Sequence, residues 1–210
     1  MKVDLIDSMG SDLTVVNAAR VSFDKTSSTL DDKDIKLIKY LAKHNHWSPF
    51  SHCFVQFRVK APIFIARQLA KHQVGLSWNE VSRRYVDSPP EFYEPETWRG
   101  KPENVKQGSD GEAKSQYFPN LYLGDVTELA LNNYDKMIVQ GVAPEMARMV
   151  LPQNMYTEWY WSGSLYAFSR VCQLRLDKTS QAEVQEVAVK LSAHCWSLFP
   201  HSWDALLKGV

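Results

Sequence analysis

The stretch His52-Cys53-Phe54-Val55-Gln56-Phe57-Arg58-Val59-Lys60 alternates side chains of opposite character. In an extended chain successive side chains point to opposite faces. Cys53, Val55, Phe57 and Val59 would therefore share one face, with Gln56, Arg58 and Lys60 on the other. That pattern predicts a strand with one face in a core. Immediately beyond it, Pro62 stands where a helix favours its first residue. Ile63 to about Val74 is expected to continue that helix, and Gly75 and the polar run after it to end it.

Upstream of this stretch, Lys2 to Asp7 alternates and predicts a short strand. Ser11 to Arg20 follows as a helix with Ser11 as its N-cap. Asp31 to His44 places Ile35, Ile38, Leu41 and Ala42 at helical spacing. Downstream, residues 87–120 hold Pro89, Pro90, Pro95, Pro102 and Pro119 and a Gly-Ser-Asp-Gly run. They are expected to form a loop-rich excursion, either a lid or intersubunit arm or a passive insertion. Helix is expected to resume near Asp125, where Glu128 suits a capping box, and to end at Gly141. Pro144 opens a short helix that Pro152 stops. Tyr156 to Trp161 predicts a strand, and Ser164 to about Leu174 a helix. Ser180-x-x-Glu183 suits a capping box for a helix with Val184, Val187, Ala188 and Leu191 as its apolar stripe. Strands and helices mix without a regular βαβ repeat, which points to an α+β fold. The expectation is a single domain over 1–210, with a central, mostly antiparallel sheet packed with helices.

Composition narrows the function. A chain of 210 residues, 44% hydrophobic and 23% charged, suits a soluble globular core. Formal net charge is zero, so no generic electrostatic grip on nucleic acid or membrane is expected. Cys53, Cys172 and Cys195 are far apart and form no C-x-x-C motif, which argues against a zinc ribbon or a disulfide framework. The start of the chain does not read as a signal peptide, and no apolar run is long enough for a membrane span. A cytoplasmic location is the simplest reading. His44, His46 and His52 lack carboxylate or cysteine companions at suitable spacing, so no metal site is expected.

The chemistry concentrates in Arg67-Gln68-Leu69-Ala70-Lys71-His72-Gln73 and Ser77-Trp78-Asn79-Glu80-Val81-Ser82-Arg83-Arg84-Tyr85. On a helix, Arg67 and Lys71 would share a face, and Gln68 and His72 the adjacent one. The loop expected after it mixes Asn, Glu, Ser and two Arg. Backbone N–H groups and arginines in such a loop take phosphate, a carboxylate or amide takes a sugar or base edge, and an aromatic ring offers a stacking face. Taken alone, Lys-His-Gln on a helix is more often a solvated face followed by a charged turn.

The neighbouring motifs change that balance. His46-Trp47-Ser48-Pro49-Phe50, Ala61-Pro62-Ile63-Phe64-Ile65-Ala66-Arg67-Gln68 and Asn79-Glu80-Val81-Ser82-Arg83-Arg84-Tyr85 together resemble the signature region of flavin-dependent thymidylate synthases. Ala18-Ala19-Arg20-Val21-Ser22-Phe23 and Glu145-Met146-Ala147-Arg148-Met149-Val150-Leu151-Pro152 resemble the same family. The likeness runs over nearly the whole chain and is weakest at 87–120. The family signature is Arg-His-Arg, seven or eight residues, then Ser. Here it reads Lys71-His72-Gln73, eight residues, Ser82. Both arginines are replaced, Lys offering a point charge where Arg offers a planar fork.

The resemblance implies that dUMP is methylated to dTMP. Methylenetetrahydrofolate would give the carbon, reduced FAD the hydride, and NADPH would reduce the flavin. It implies dUMP contacts at Gln68, Lys71, Glu80, Val81, Ser82, Arg83, Arg84, Arg148 and Arg175. Arg175 is also the implied catalytic residue, promoting ionisation at the uracil N3. It implies FAD contacts at Ser48, Lys71, His72, Gln73, Glu80, Ser164 and Arg170, although Ser164 and Arg170 stand where the family usually has asparagines. His46 falls in the folate or nicotinamide region. The family forms homotetramers with active sites at subunit interfaces. Two rivals stand beside this reading. A cysteine-dependent thymidylate synthase needs an activated thiolate, whereas Cys172 and Cys195 lie at apolar helical spacing. A non-catalytic nucleotide- or RNA-binding module could use Arg83-Arg84-Tyr85, but the neutral net charge disfavours it.

Overall fold

The alternation at 52–60 is realised in a computed structural model that describes residues 1–86, 88–103 and 108–207. Cys53, Val55, Phe57 and Val59 are all buried. In chain order the elements are β1 (Lys2–Met9), α1 (Asp12–Arg20), α2 (Asp32–Lys43), β2 (Phe54–Pro62), α3 (Ile63–Leu69), β3 (Leu76–Glu80), β4 (Arg99–Gly100), β5 (Asp110–Glu112), α4 (Tyr117–Val139), α5 (Pro144–Ala147), β6 (Tyr156–Ser164), α6 (Leu165–Arg175), α7 (Ala182–Leu198) and α8 (Pro200–Leu207). The main sheet is antiparallel with strand order β1-β2-β6-β3, and β4 pairs with β5. The fold is α+β, as expected. Among the described residues no helix is long and apolar enough to cross a membrane.

The chain divides into two compact units. One comprises Met1–Val59, Ala70–Asn79 and Tyr160–Val210, the other Lys60–Leu69 and Glu80–Trp159. In the first, Phe57 and Trp161 each meet Phe168 edge-on, with ring centroids 5.1 and 5.2 Å apart. Val184, Val187, Ala188 and Leu191 form the buried stripe of α7, as their spacing predicts. Asp31 caps α2 by accepting from the N–H groups of Lys33 and Asp34. The buried Asp12 carboxylate accepts from the backbone N–H groups of His201 and Ser202, at 3.0 and 2.8 Å. These are first-turn donors that α8 itself leaves unpaired. In the second unit, α3 buries Ile65, Ala66 and Leu69, while α4 buries Ala130 and Tyr134 and exposes most of its length.

Several expectations need correction. The helix begun after Pro62 stops at Leu69 rather than near Val74, so Lys71, His72 and Gln73 lie on a turn and the chain after it. The proposed stripe with Arg67 therefore does not form. Part of the expected loop is strand: Leu76–Glu80 joins the sheet as β3. The reason is long-range pairing, which overrides local helix preference. Gly75 turns the chain with φ +77°, and its carbonyl passes so near Gly163 that a Cβ there would stand 2.4 Å away.

Helix α4 begins at Tyr117, eight residues before Asp125. Pro119 falls in its first turn, where a missing N–H leaves no helical bond unmade. The Ser180 capping box is not made. Gln181 is the N-cap of α7, and the Ser180 hydroxyl donates to the Leu174 carbonyl instead. Helix α8 has no counterpart in the sequence reading. Within 87–120, the strands β4 and β5 and a bridge from Phe92 to Met155 precede α4. Positions 87 and 104–107 of that excursion lie outside the described residues.

Candidate active site

In the first unit the informative contact joins the turn after α3 to the last turn of α6. The Nε–H of Arg175 donates to Nε2 of His72 at 3.0 Å. His72 is half-buried. Burial first, then the positive charges of Arg175 and Arg170, hold its pKa down to about 4. The ring is therefore neutral near pH 7, with its proton on Nδ1 and the Nε2 lone pair free to accept. Lys71 and Gln73, on either side, are exposed, and so is Arg170 on α6. Ser164 is buried as the N-cap of α6, its Oγ accepting from the Ala167 N–H at 3.2 Å.

Ser48 and His46 lie elsewhere in this unit, on the segment between α2 and β2, and both are exposed. His46 stands edge-on to Tyr40, with ring centroids 5.9 Å apart. With Trp47, Lys39, Lys43, Tyr166 and Gln173 it lines a hollow of about 650 Å³. Trp47 and Tyr166 lie 6.1 Å apart, giving that hollow an aromatic wall.

In the second unit the site residues expected from the sequence follow the end of β3. Glu80 is exposed, and its carboxylate accepts from Thr157 Oγ1 at 2.7 Å. The Val81 N–H donates to the Glu158 carbonyl at 2.8 Å, which extends the pairing one residue beyond the strand. The chain then turns. Ser82 Oγ accepts from the backbone N–H and the Nε–H of Arg84, at 3.3 and 3.2 Å. The Arg84 guanidinium lies 4.9 Å from the centroid of the Tyr85 ring, and Arg83 donates to the Ser88 carbonyl. Arg148 follows α5 directly, exposed, with its Nε–H on the Glu145 carbonyl at 3.2 Å. Glu80, Val81, Arg83 and Arg148 line one hollow of about 430 Å³, together with Lys60 and Tyr156. Ser82, Arg84 and Gln68 do not line it. Gln68 is half-buried on α3.

The cysteines are poor nucleophile candidates. Burial pushes the Cys53 and Cys172 thiols up to about 12 and raises Cys195 well above the usual thiol range. A thiol held protonated does not attack.

Residues 4–201 match the family model described as thymidylate synthase complementing protein, Thy1. This chain belongs to the Thy1 family. The Thy1 relatives include proteins named flavin-dependent thymidylate synthase. One from Thermus thermophilus is 41% identical, the match covering 99% of this chain and 77% of the relative. One from Thermosipho africanus is 39% identical, covering 97% and 90%. Among solved structures, a UMP/dUMP methylase, PolB, from Streptomyces cacaoi bound with 5-Br dUMP superposes with a TM-score of 0.88. It is 31% identical, and the match covers 99% of this chain and 94% of that one.

For a Thy1 chain, the sequence reading missed Thr157 and the wall formed by Trp47 and Tyr166. Alternation along β6 put Thr157 on a strand, but no local pattern linked it to a carboxylate 77 residues away.

Proposed function

We propose that this chain, a flavin-dependent thymidylate synthase of the Thy1 family, methylates dUMP to dTMP. The carbon comes from methylenetetrahydrofolate. Reduced FAD supplies the hydride when bound, and NADPH reduces it. The observation that carries this reading is the fixed guanidinium of Arg175, tied to a neutral His72. A cation held beside the uracil N3 and its neighbouring carbonyl stabilises the anion that makes C5 nucleophilic. Arg175 is thus the catalytic residue.

The dUMP contacts are Gln68, Lys71, Glu80, Val81, Ser82, Arg83, Arg84 and Arg148, with Arg175. The arginines suit phosphate, the Glu80 carboxylate suits a sugar or base edge, and the Val81 and Ser82 main chain fixes the turn that carries them. The donor set Lys71, Gln73 and Arg170 fits the pyrophosphate of FAD: all three are exposed, and none is in an ion pair among the described residues. His72, Ser48, Ser164 and Glu80 complete the proposed flavin contacts, with His46 toward folate or nicotinamide. Residues 1–210 act as one functional domain, in a cytoplasmic homotetramer whose subunits share their sites.

Tritium release from C5-labelled dUMP, with and without FAD and NADPH, tests the reaction. Release that needs both cofactors is expected, and release independent of flavin overturns the reading. UMP run in parallel tests whether the sugar is discriminated. Subunit sharing is tested by reassembling inactive Arg84→Ala and Arg148→Ala proteins together. Verified hybrids should regain part of the activity, and hybrids without activity would exclude sharing between these two positions.

A further inference from the structure

The signature histidine and the catalytic arginine, 103 residues apart in sequence, are joined by one hydrogen bond from Arg175 Nε to His72 Nε2. From this geometry we infer that His72 is a positioning residue for Arg175, acting as a neutral acceptor that orients its guanidinium. The inference rests on the reading above, in which Arg175 meets the pyrimidine.

The choice of acceptor has a physical reason. An arginine at the end of α6 swings about several bonds, and its planar fork works only in the right orientation. An acceptor at Nε fixes the plane and leaves the donors on the terminal nitrogens for other partners. A carboxylate would fix it as well, but would also set a negative charge against the positive one. The field that Arg175 offers to a developing anion would then be weakened. Neutral imidazole orients without that loss. The structure keeps the ring neutral in two ways, by half-burying it and by placing Arg170 and Arg175 near it, so a proton on the ring would face two cations. Gly75, three residues on, turns the chain with φ +77° into β3, so the histidine sits on the short connection between α3 and β3.

The test substitutes His72 three ways in the holoenzyme: Gln keeps a neutral acceptor, Glu supplies a charged one, and Leu supplies none. Each variant is assayed at saturating FAD for kcat and for KM of dUMP, and titrated with FAD by flavin fluorescence. His72→Gln should retain the highest kcat of the three variants. His72→Leu should lose roughly tenfold or more in kcat, as for loss of one hydrogen bond to a charged group. His72→Glu should lose kcat too, and that loss should persist at saturating FAD. Equal kcat in Gln and Glu variants overturns the argument from charge. Parent-like kcat in His72→Leu, or a defect that saturating FAD restores, overturns positioning altogether and leaves His72 as a flavin ligand. Should His72→Leu fail to fold, the Gln and Glu pair still decides. Arg175→Ala keeps the two readings apart: if it forms dTMP normally, the role of Arg175 is wrong, whatever the His72 variants do.

Discussion

The turn that carries His72 and the turn that carries Ser82 to Tyr85 hold their functional groups in opposite ways. In the first, a half-buried imidazole and a guanidinium from a distant helix fix one another, beside a glycine in left-handed geometry. In the second, the restraints are short-range: Ser82 with Arg84, Arg83 with the Ser88 carbonyl, and Arg84 over its neighbour Tyr85, which is 77% exposed. Long-range restraint suits a group whose orientation sets the rate. On the proposed function, short-range restraint suits groups that close on a flexible phosphate and sugar. Substitutions in the first turn should therefore move kcat and stability together, and substitutions in the second should move KM.

The sharpest way to break this contrast is Arg175→Ala. A lost charged hydrogen bond of roughly 1.5–3 kcal/mol predicts at least a tenfold fall in dTMP formation, with flavin reduction by NADPH preserved. A variant that lost both steps equally would show the turn to be merely structural. Gly75→Ala comes next. Its Cβ would lie 3.1 Å from that of Ala167 at a φ that L residues avoid, so a loss on the order of 1–3 kcal/mol is expected in urea unfolding.

Acid sharpens the comparison further. The unfolded state takes up the His72 proton below about pH 6.5, whereas the folded state resists it until about pH 4. Stability should therefore fall as pH drops from about 6.5 toward 4. The loss is on the order of 1 kcal/mol once solvent at the half-buried ring is counted. His72→Gln should flatten that part of the profile, and parallel curves for both proteins would refute the assignment. The smallest effect belongs to the second region. Thr157→Val removes the donor to Glu80 and should raise KM for dUMP by roughly three- to tenfold with little change in kcat. Thr157→Ser should restore it, and a kcat defect of equal size would contradict the division.

The contrast also explains what the sequence made legible. Strand β2 was readable because burial of one face writes a period of two into the side chains. Helix α2 was readable for the same reason at the helical period, with Asp31 to mark its start. Lys71 to Gln73 was misread because its local pattern continues a helix. What stops that helix is a strand pairing with residues some eighty positions later, and no short window contains it. Arg148, Arg175 and Ser82 to Arg84 were found through the family resemblance. The bonds that tie Arg175 to His72 and Glu80 to Thr157 have no local signature, because each joins residues from separate elements.

The Asp12 carboxylate at the head of α8 bears on the order in which the chain folds. It ties a residue of the first helix to main-chain donors 189 and 190 positions later. His194 on α7 likewise reaches the Val3 carbonyl in β1, at 3.2 Å. During synthesis β1 and α1 leave the ribosome well before these partners, which follow some 190 positions later. Such distant closures are slow, because much of the chain must be ordered before they form. Until then the early strand and helix wait with apolar faces uncovered, a state prone to association with other chains. Asp12→Ala should accordingly prolong that interval and lower the yield of folded protein more at high expression temperature than at low.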